Sequence, residues 1–366
     1  MAAKSEPDAF KDWFNEPLYR RLARELAAIE PRSDRRRFLA LALEGLPERS
    51  LMTRMQQTSI AVEAALPGDY AQKIAVLRQL APRIGHSFIA IFLSDFVARY
   101  GHDTAEALEA LRFFTRFGSA EFSIRTFLER DLTGTLAVMR RWTTDPDEAV
   151  RRLASEGCRP RLPWGRRLNE LIRNPEPLRA ILEALKDDPS VFVRRSVANN
   201  LNDIAKDHPA WVLDLLEHWG TAVPHREWIV RRAARTLVKR GEPRALRLLG
   251  AEAATTADFA AELQVSPRRL RLGQPLRFVA RITSRAKTAR RVIVDYVVHY
   301  VRANGSSSPK VFKWTETDLQ PRGSVNLAKN QLVRDFTTRR HYAGLHRVDL
   351  QVNGRRVASA TFQLHR

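Results

Sequence analysis

The feature that most constrains the fold of this 366-residue chain is a short motif that occurs three times in its middle section. Val-Arg-Arg begins at Val150, Val193 and Val230, so successive copies lie 43 and 37 residues apart. A period near 40 residues is typical of repeats made of paired helices, which bury their apolar faces only by stacking on one another. We therefore predict a mainly α fold in which a HEAT-like helical solenoid contains these segments.

The residues around each copy predict how the helices begin and which faces they bury. Two copies follow an Asp-Pro pair, at Asp145 and Asp188, and we expect the aspartate to cap the helix and the proline to occupy its first turn. Apolar residues then recur at helical spacing, and in the second copy they are Val193, Val197, Leu201 and Ile204. Similar spacing in "YRRLARELAAI" and "TAEALEALRFFTRF" extends the helical prediction over residues 1–250.

The pattern changes from helix to strand near Asp258. Short runs rich in β-branched and aromatic residues follow, among them "RFVARITS", "RRVIVDYVVHYV", "HRVDLQV" and "RVASATFQL". Asn353-Gly354 stands between the last two runs and is a strong signal for a β-hairpin. About seven short strands in this length of chain indicate a β-sandwich. We therefore predict two domains, a helical one over 1–257 and a β-sandwich over 258–366.

The charge of the chain points to a polyanionic partner. Lys and Arg number 62 against 41 Asp and Glu, a net charge of +21. Residues 258–366 hold 21 of these basic and 7 of these acidic residues, so the smaller domain has a net charge of +14. Such a field favours nucleic acid first and an anionic membrane surface second. A generally basic proteome would give the same excess, so the charge alone does not exclude a purely structural sandwich.

Several classes of protein are disfavoured by what the sequence lacks. The single cysteine, Cys158, excludes an internal disulfide framework and a cysteine-based zinc finger, and we expect it to be packed rather than reactive. The sequence contains no Gly-rich phosphate loop, no HExxH and no CxxC, and its nine histidines show no ligand spacing, so we predict neither a metal nor a cofactor. Without a signal peptide or an apolar run of spanning length, we expect a cytoplasmic protein with no membrane partner.

Basic residues share faces on the predicted repeat helices. Residues four apart on a helix lie on one side of it, which groups the following sets: Arg195, Asn199 and Asp203; Arg152 and Glu156; Arg231, Arg235 and Lys239. Because stacked helix pairs curve, equivalent faces of successive repeats would line one concave groove suited to a nucleic-acid backbone. The alternative is that these are solvated outer faces with ion pairs between neighbours. Both interpretations stay open at this point.

Three acidic residues stand among these arginines, namely Glu121, Glu156 and Asp203. A carboxylate in a groove that binds phosphate repels the ligand, so its presence suggests that a cation forms there. Cleavage of an N-glycosidic bond passes through an oxocarbenium-like sugar, which nearby carboxylates stabilise. Trp164, in "CRPRLPWG", could stack on a cationic base or on the sugar. Each acid could instead be solvated or salt-bridged, and the tryptophan could simply anchor its turn.

The residues also carry a specific resemblance. "DPDEAVRRLASEGCRPRLPWG" and "DPSVFVRRSVANNLNDIAKDHPAWVLDLLEHW" closely resemble the AlkC family of bacterial DNA alkylation-repair glycosylases, as do "LMTRMQQTSIAVEAALP" and "FGSAEFSIRTFLERDL". The similarity covers residues 1–250. The C-terminal sandwich resembles the immunoglobulin-like domain that some members of this family carry.

This resemblance implies a helical solenoid that wraps damaged double-stranded DNA and hydrolyses the glycosidic bond of cationic methylated bases, with 3-methyladenine and 3-methylcytosine as the expected class. It places the catalytic positions at Glu156 and Asp203, which would stabilise the sugar cation and orient water, at Trp164, which would contact the lesion, and at Glu121, which would support the site. No lysine is indicated as a Schiff-base nucleophile, so we expect a monofunctional enzyme that leaves an abasic site. Whether the base is flipped out of the helix stays open.

We expect further residues to contact DNA, some on the repeats and some in the basic loop "FTTRRHYAGLH". The predicted contacts are Arg152, Arg159, Arg161, Arg194, Arg195, Asn199, Arg231, Arg232, Arg235, Arg339, Arg340 and His341. We expect a monomer, associated with the bacterial nucleoid when it is bound to DNA. The competing hypothesis is a HEAT-repeat scaffold that binds nucleic acid without catalysis, with salt-dependent affinity but no preference for damaged DNA.

Overall fold

The computed structural model describes residues 10–336 and 340–366, so the predicted DNA contact Arg339 lies outside the described residues. The chain divides into two compact units, Met1–Asp207 and His208–Arg366. The second unit includes helices that precede residue 258, and the division into domains at residue 257 stays a prediction.

The first unit is helical throughout its described part. Its α-helices are α1 (Glu16–Ile29), α2 (Arg35–Leu43), α3 (Leu51–Ala65), α4 (Tyr70–Ile84), α5 (Ile91–Tyr100), α6 (Thr104–Phe114), α7 (Ile124–Arg130), α8 (Leu132–Trp142), α9 (Glu148–Glu156), α10 (Asn169–Arg173), α11 (Arg179–Leu185) and α12 (Val191–Ile204). The apolar stripe predicted for α12 is confirmed, because its four residues are all buried. No helix in the described part of the chain is long and apolar enough to cross a membrane.

In its described residues, the second unit combines four α-helices with eight strands. The helices are α13 (Pro209–Trp219), α14 (Pro224–Ala233), α15 (Arg235–Lys239) and α16 (Pro243–Leu248). The strands are β1 (Phe259–Ser266), β2 (Arg269–Arg271), β3 (Pro275–Ser284), β4 (Arg290–Val301), β5 (Ser307–Leu319), β6 (Ser324–Leu332), β7 (Gly344–Val352) and β8 (Arg355–His365). The predicted change from helix to strand near Asp258 is confirmed.

The strands form two sheets that enclose one core. Three strands pair in the order β1-β3-β6 and five in the order β2-β8-β7-β4-β5, and all neighbours are antiparallel except β2 and β8. Side chains from both sheets, such as Phe278, Tyr296 and Phe362, pack into a shared apolar cluster. The predicted hairpin is confirmed: Asn353 and Gly354 join β7 to β8 with φ of 47° and 76°. Positive φ at both residues defines the type I′ turn that suits twisted strands.

The repeat helices begin two residues later than the sequence suggested. The cap of α9 is Asp147 and that of α12 is Ser190, whereas Asp145 and Asp188 lie outside the helices. Oδ1 of each earlier aspartate accepts the backbone N–H two residues on, at 2.9 and 2.8 Å. The expectation that these aspartates cap the helices was therefore wrong, because an Asp side chain also closes a local turn of this kind.

The third predicted face is interrupted. Arg231, Arg235 and Lys239 were placed at three successive turns of one helix, but α14 ends at Ala233 and α15 begins two residues later. The short break means that helical spacing alone does not relate the three side chains.

Candidate active site

The starts of α9 and α12 are joined through the first arginine of the repeated motif. Arg151 donates from Nη1 to the carbonyls of Asp145 (2.8 Å) and Pro146 (3.0 Å), six and five residues earlier. Its Nε donates to Oδ2 of Asp188 at 2.7 Å, in the turn before α12. Arg194 repeats the backbone pattern, reaching the carbonyls six and five residues before it at 2.5 and 2.9 Å. In the first two copies of the motif, the first arginine therefore fixes where its helix begins.

The ends of the same two helices are joined by Arg159. Its Nη1 donates to Oε1 of Glu156, the last residue of α9, at 2.6 Å. Its Nε and Nη2 approach Oδ2 of Asp203, near the end of α12, at 2.8 and 2.7 Å. Because both the starts and the ends of the packed helices meet, α9 and α12 run side by side in the same direction. The repeat thus brings together two acids that are 47 positions apart in the sequence.

Six charged side chains form a chain in which acid and base alternate. Consecutive N–O distances are 2.6, 3.5, 2.6, 2.7 and 2.9 Å along Glu121, Arg152, Glu156, Arg159, Asp203 and Lys206. The structure therefore joins the three acids that the sequence singled out. Three carboxylates are balanced by three cations before any ligand is present.

The central part of this chain is buried. The exposed fractions of Glu156, Arg159 and Asp203 are 5, 6 and 3%. Charges at such depth are tolerated only when they are paired and hydrogen-bonded. Burial on its own lowers the pKa of Arg159, but the attraction of Glu156 and Asp203 outweighs it, so the pKa is raised above its usual value. Arg159 therefore stays charged at neutral pH.

The two acids differ in which oxygens remain available. Within residues 10–336 and 340–366, Arg152 and Arg159 both reach Glu156 through Oε1, and Oε2 has no hydrogen-bonding partner. Asp203 instead uses both oxygens, because Oδ2 pairs with Arg159 and Oδ1 pairs with Lys206. Glu156 can therefore offer an oxygen to a ligand without losing either ion pair, whereas Asp203 cannot.

Glu121 lies in a turn at the edge of a cavity. It precedes α7, which begins only at Ile124. Ser119 donates to Oε2 of Glu121 at 2.7 Å and accepts from Nη1 of Arg152 at the same distance. Glu121 and Arg152 line a cavity of about 740 Å³. Its wall also contains aromatic rings, and the guanidinium of Arg152 lies 4.7 Å from the ring centre of Phe192.

Trp164 lies on the irregular segment between α9 and α10. Trp164 is 70% exposed. The alternative that it anchors its turn by packing is therefore wrong. Its φ is 63°, in the left-handed region that bulky residues rarely adopt. Arg161, three positions earlier, makes a two-pronged ion pair with Asp207, with two N–O distances of 2.8 Å. The turn is thus tied to the end of α12, and it presents a large ring to solvent.

Arg125 is a residue of this region that the sequence reading missed. It lies on α7 and is fully buried, with an exposed fraction of 0%. It donates to the carbonyls of Gly157 (2.9 Å), Arg159 (2.8 Å) and Arg166 (2.7 Å). The available signal was its position: it lies three residues before Leu128 and next to Ile124, on the buried side of a helix. An arginine on an apolar face calls for polar partners.

The remaining chemistry of the site is limited. Cys158 is buried, as expected, and burial raises the pKa of its thiol to about 12, so it is not a thiolate nucleophile at neutral pH. Among the residues that the structure describes, no group of three or more His, Cys, Asp or Glu is placed to hold a metal ion.

The DNA contacts predicted for the first unit separate by burial. Arg195 is exposed and Asn199 is partly exposed, both on α12. Arg194 is buried, because it binds the carbonyls of Asp188 and Pro189 in the turn before its helix. Arg159 lies between two carboxylates rather than at the surface, since its helix ends against the neighbouring repeat. Neither of the last two has the placement that we expected of a phosphate contact.

The contacts predicted for the second unit are also mixed. Arg231 pairs with Glu227 at 3.2 Å and with Glu316, and Arg235 donates to the carbonyl of Arg232 at 2.6 Å. In the basic loop, Arg340 is exposed and its guanidinium lies 5.8 Å from the ring centre of Tyr342. His341 is buried, and its backbone N–H donates to Oδ1 of Asp335 at 2.7 Å. Its imidazole is therefore turned away from the surface on which we expected DNA.

Comparison with known proteins identifies the chain. Residues 114–237 match the family described as DNA alkylation repair enzyme, and residues 260–366 match the family described as Uncharacterised protein YhaZ, C-terminal Ig-like domain. The chain is 37% identical over 356 residues to the Uncharacterized protein YhaZ of Bacillus subtilis (strain 168), covering 97% of this chain and 99% of that one. It is 44% identical, with a TM-score of 0.94, to the solved structure of Pseudomonas fluorescens alkylpurine DNA glycosylase AlkC bound to DNA containing an abasic site analog, covering 98% of this chain and all of that one.

The helical region, the linked carboxylates and the C-terminal β-sandwich thus define a DNA alkylation-repair glycosylase with an immunoglobulin-like domain. Within that class, the chain belongs to the AlkC family. The resemblance to this family that the sequence carries is therefore confirmed.

Proposed function

We propose that this glycosylase acts on double-stranded DNA and hydrolyses the glycosidic bond of cationic methylated bases, with 3-methyladenine and 3-methylcytosine as substrates, leaving an abasic site. The observation that carries the proposal is the arginine-linked pair Glu156 and Asp203. The relative of known structure is bound to DNA that contains an abasic site analog, the kind of product this reaction would leave. The carboxylates of the site suit this reaction, because its transition state carries positive charge on the sugar.

The chemistry follows from the charge of the substrate. A base methylated on a ring nitrogen is already cationic, so it leaves with the electrons of the C1′–N bond and needs no general acid. The sugar then carries an oxocarbenium-like charge, which a nearby carboxylate stabilises. We assign this role to Glu156, because its Oε2 is unpaired among the described residues. The same oxygen can accept a proton from the water that attacks C1′.

Asp203 supports this role through Arg159. Both oxygens of Asp203 are engaged, Oδ2 by Arg159 and Oδ1 by Lys206. Asp203 thereby holds the guanidinium of Arg159, which in turn binds Glu156. Lys206 is the most exposed member of the chain of charges, so its release by a ligand would free Oδ1 of Asp203 for water. We propose that Trp164 contacts the lesion nucleotide, since its ring is solvent-facing, and that Glu121 orients Arg152.

The proposed DNA surface consists of basic residues and one asparagine, all of them exposed or partly exposed. On the first unit we include Arg195, Asn199, Arg161 and Arg152, which are at least partly exposed. On the second unit we include Arg340 together with Arg231, Arg232 and Arg235, and the +14 charge of residues 258–366 supports a grip on phosphate. We propose that the enzyme works as a monomer in the bacterial cytoplasm on nucleoid DNA, and that its helical part is a HEAT-like solenoid.

The experiment that tests the activity measures free bases released from methylated DNA. Wild-type protein should release 3-methyladenine and 3-methylcytosine under single-turnover conditions. Glu156→Gln and Asp203→Asn should lose about 10²–10⁴-fold in rate, the range typical for loss of one key catalytic group, while DNA affinity is retained. Salt-dependent DNA binding without any release of base would instead support the non-catalytic scaffold.

A further inference from the structure

The segment between α9 and α10 carries Arg159 and Trp164 but has little regular structure of its own. The backbone N–H of Leu168 donates to the carbonyl of Pro160 at 3.2 Å, and that of Gly165 donates to Leu162 at 3.1 Å. A segment with so few internal hydrogen bonds does not define the position of an exposed ring or of a buried guanidinium by itself. Its geometry must depend on contacts from other elements.

Arg125 supplies such contacts at both ends of the segment. Its Nη1 donates to the carbonyls of Gly157 and Arg159, and its Nε donates to that of Arg166, on the far side of Trp164. A planar guanidinium with donors in a fixed fork is suited to span two such groups of acceptors. Arg159 is therefore held twice: Arg125 binds its backbone carbonyl, and the two acids bind its side chain.

The charge of Arg125 is not needed for an ion pair. Among the described residues, its hydrogen bonds all go to backbone carbonyls and it makes no salt bridge. Burial lowers its pKa to about 10, so it remains protonated at neutral pH. Placing an unpaired cation in the interior is costly, and a neutral side chain would serve for packing alone. The feature that only arginine provides here is the fixed spacing of its donors.

We propose that Arg125 is a positioning residue for base excision: it holds the segment 157–166 so that Arg159 meets Glu156 and Asp203 while Trp164 faces the DNA. This proposal rests on the proposed roles of Glu156 and Trp164. Arg125 itself is fully buried, so it would act through this segment rather than on the DNA directly. Its loss should lower the rate of the chemical step at saturating DNA more than it lowers DNA affinity.

The chain offers a closely matched control in Arg54. This arginine of α3 is also buried and donates to three backbone carbonyls, those of Lys11 (2.8 Å), Phe14 (3.0 Å) and Arg49 (3.2 Å). None of these carbonyls belongs to the segment that carries Arg159 and Trp164. Arg54→Lys therefore reports what the loss of a buried arginine fork does to stability alone.

The test compares Arg125→Lys with Arg54→Lys on an oligonucleotide that contains 3-methylcytosine, at a temperature where both variants are folded by circular dichroism. Lysine keeps the charge but cannot span both ends of the segment. We expect the single-turnover rate of Arg125→Lys to fall at least about tenfold with DNA affinity within about threefold of wild type. Arg54→Lys should stay within about twofold in rate. Trypsin should also cleave after Arg166 and Arg167 faster in Arg125→Lys than in the control.

Other outcomes overturn the proposal. It fails if Arg125→Lys keeps the wild-type rate, or if its loss of rate matches that of Arg54→Lys at equal loss of thermal stability. Should Arg125→Lys not fold, Arg125→Gln takes its place; if neither folds while Arg54→Lys does, Arg125 is a folding residue and the proposal is wrong. Glu156→Gln is assayed in parallel, since full activity there would remove the proposed catalytic role whatever the Arg125 variants do.

Discussion

Arg159 binds the carboxylate of Asp203 through two of its nitrogens, Nε at 2.8 Å and Nη2 at 2.7 Å, across the boundary between two repeats. The same guanidinium uses its third nitrogen for the acid at the end of the preceding repeat. The pair is buried, so it is strong only as long as every member is present. A residue that was expected to bind phosphate is thus the element that connects the two proposed catalytic acids.

The first prediction concerns stability. Arg159→Ala leaves Glu156 and Asp203 buried close to each other without the shared cation, so the free energy of unfolding of the first unit should fall by about 3–5 kcal/mol. Arg161→Ala removes an ion pair two positions away that is much more exposed, and should cost only about 0–1 kcal/mol. Urea unfolding followed by circular dichroism measures both values. A small loss for Arg159→Ala would mean that the two acids are solvated rather than buried.

The second prediction uses two adjacent arginines of α12. Arg195 is exposed, whereas Arg194 is bound to the carbonyls that precede the helix. If Arg195 contacts a phosphate, Arg195→Ala should reduce the slope of log affinity against log salt by about 0.9. Arg194→Ala should leave that slope unchanged but lower the melting temperature. Fluorescence anisotropy of labelled duplex DNA between low and physiological salt gives the slopes.

If instead the slope is unchanged in Arg195→Ala, α12 does not lie along the DNA backbone. The comparison is informative because both variants lose one positive charge from the same helix. Any general effect of net charge is therefore common to the two, and the difference between them reports the contact itself.

Much of the fold could be predicted because it follows from local patterns. The buried stripe of α12 and the turn at Asn353-Gly354 depend on spacing and on residue type, both of which are visible in the sequence. About seven strands were predicted and the described residues contain eight; β6 gave little signal, because its residues are mixed in polarity and alternate between exposed and partly exposed along its length. The helix starts were misplaced by two residues, because an Asp-Pro pair can either cap a helix or close a turn before it.

The acids of the site could be nominated from the sequence, but their arrangement could not. Helical spacing relates Arg152 to Glu156, whereas the contact of Arg159 with Asp203 spans 44 residues and depends on how two repeats stack. For the same reason the sequence could not tell a phosphate contact from a structural arginine. Arg125 was missed because its partners are backbone carbonyls, which leave no trace in residue type.

The third prediction separates activity from stability at Trp164. Its φ of 63° costs on the order of 1–2 kcal/mol for a residue with a side chain, and its exposed ring makes little contact that would offset this cost. Trp164→Gly relieves the strain. It also gives the unfolded chain more conformational freedom, which lowers the free energy of unfolding by about 0.5–1 kcal/mol. The melting temperature should therefore be unchanged or slightly raised, while base excision falls at least about tenfold. Trp164→Ala, which keeps the strain, should be the less stable of the two variants.

The fourth prediction concerns Asp295, a buried residue of β4 in the second unit. Burial raises its pKa from 3.8 to about 6, and the nearby Lys239 and Lys313 only partly oppose this. A folded-state pKa above the unfolded value means that the protonated form is the stabilising one. Its contribution is full below about pH 4 and is lost as the pH rises through 6. Two pKa units correspond to about 3 kcal/mol of stability that the wild-type protein lacks at pH 8.

Asp295→Asn removes this ionisation. The amide adds a constant cost of its own, so the quantity to measure is the difference in unfolding free energy between variant and wild type at several pH values. That difference should move in favour of the variant by about 3 kcal/mol between pH 4 and pH 8, as measured by urea unfolding. Asp258→Asn is the control of opposite sign: the N–H and hydroxyl of Thr255 lower the pKa of Asp258, so its loss should reduce stability between pH 5 and pH 8. If the two variants instead shift in parallel with pH, Asp295 is solvated in the folded protein and the wild type is not destabilised by its charge.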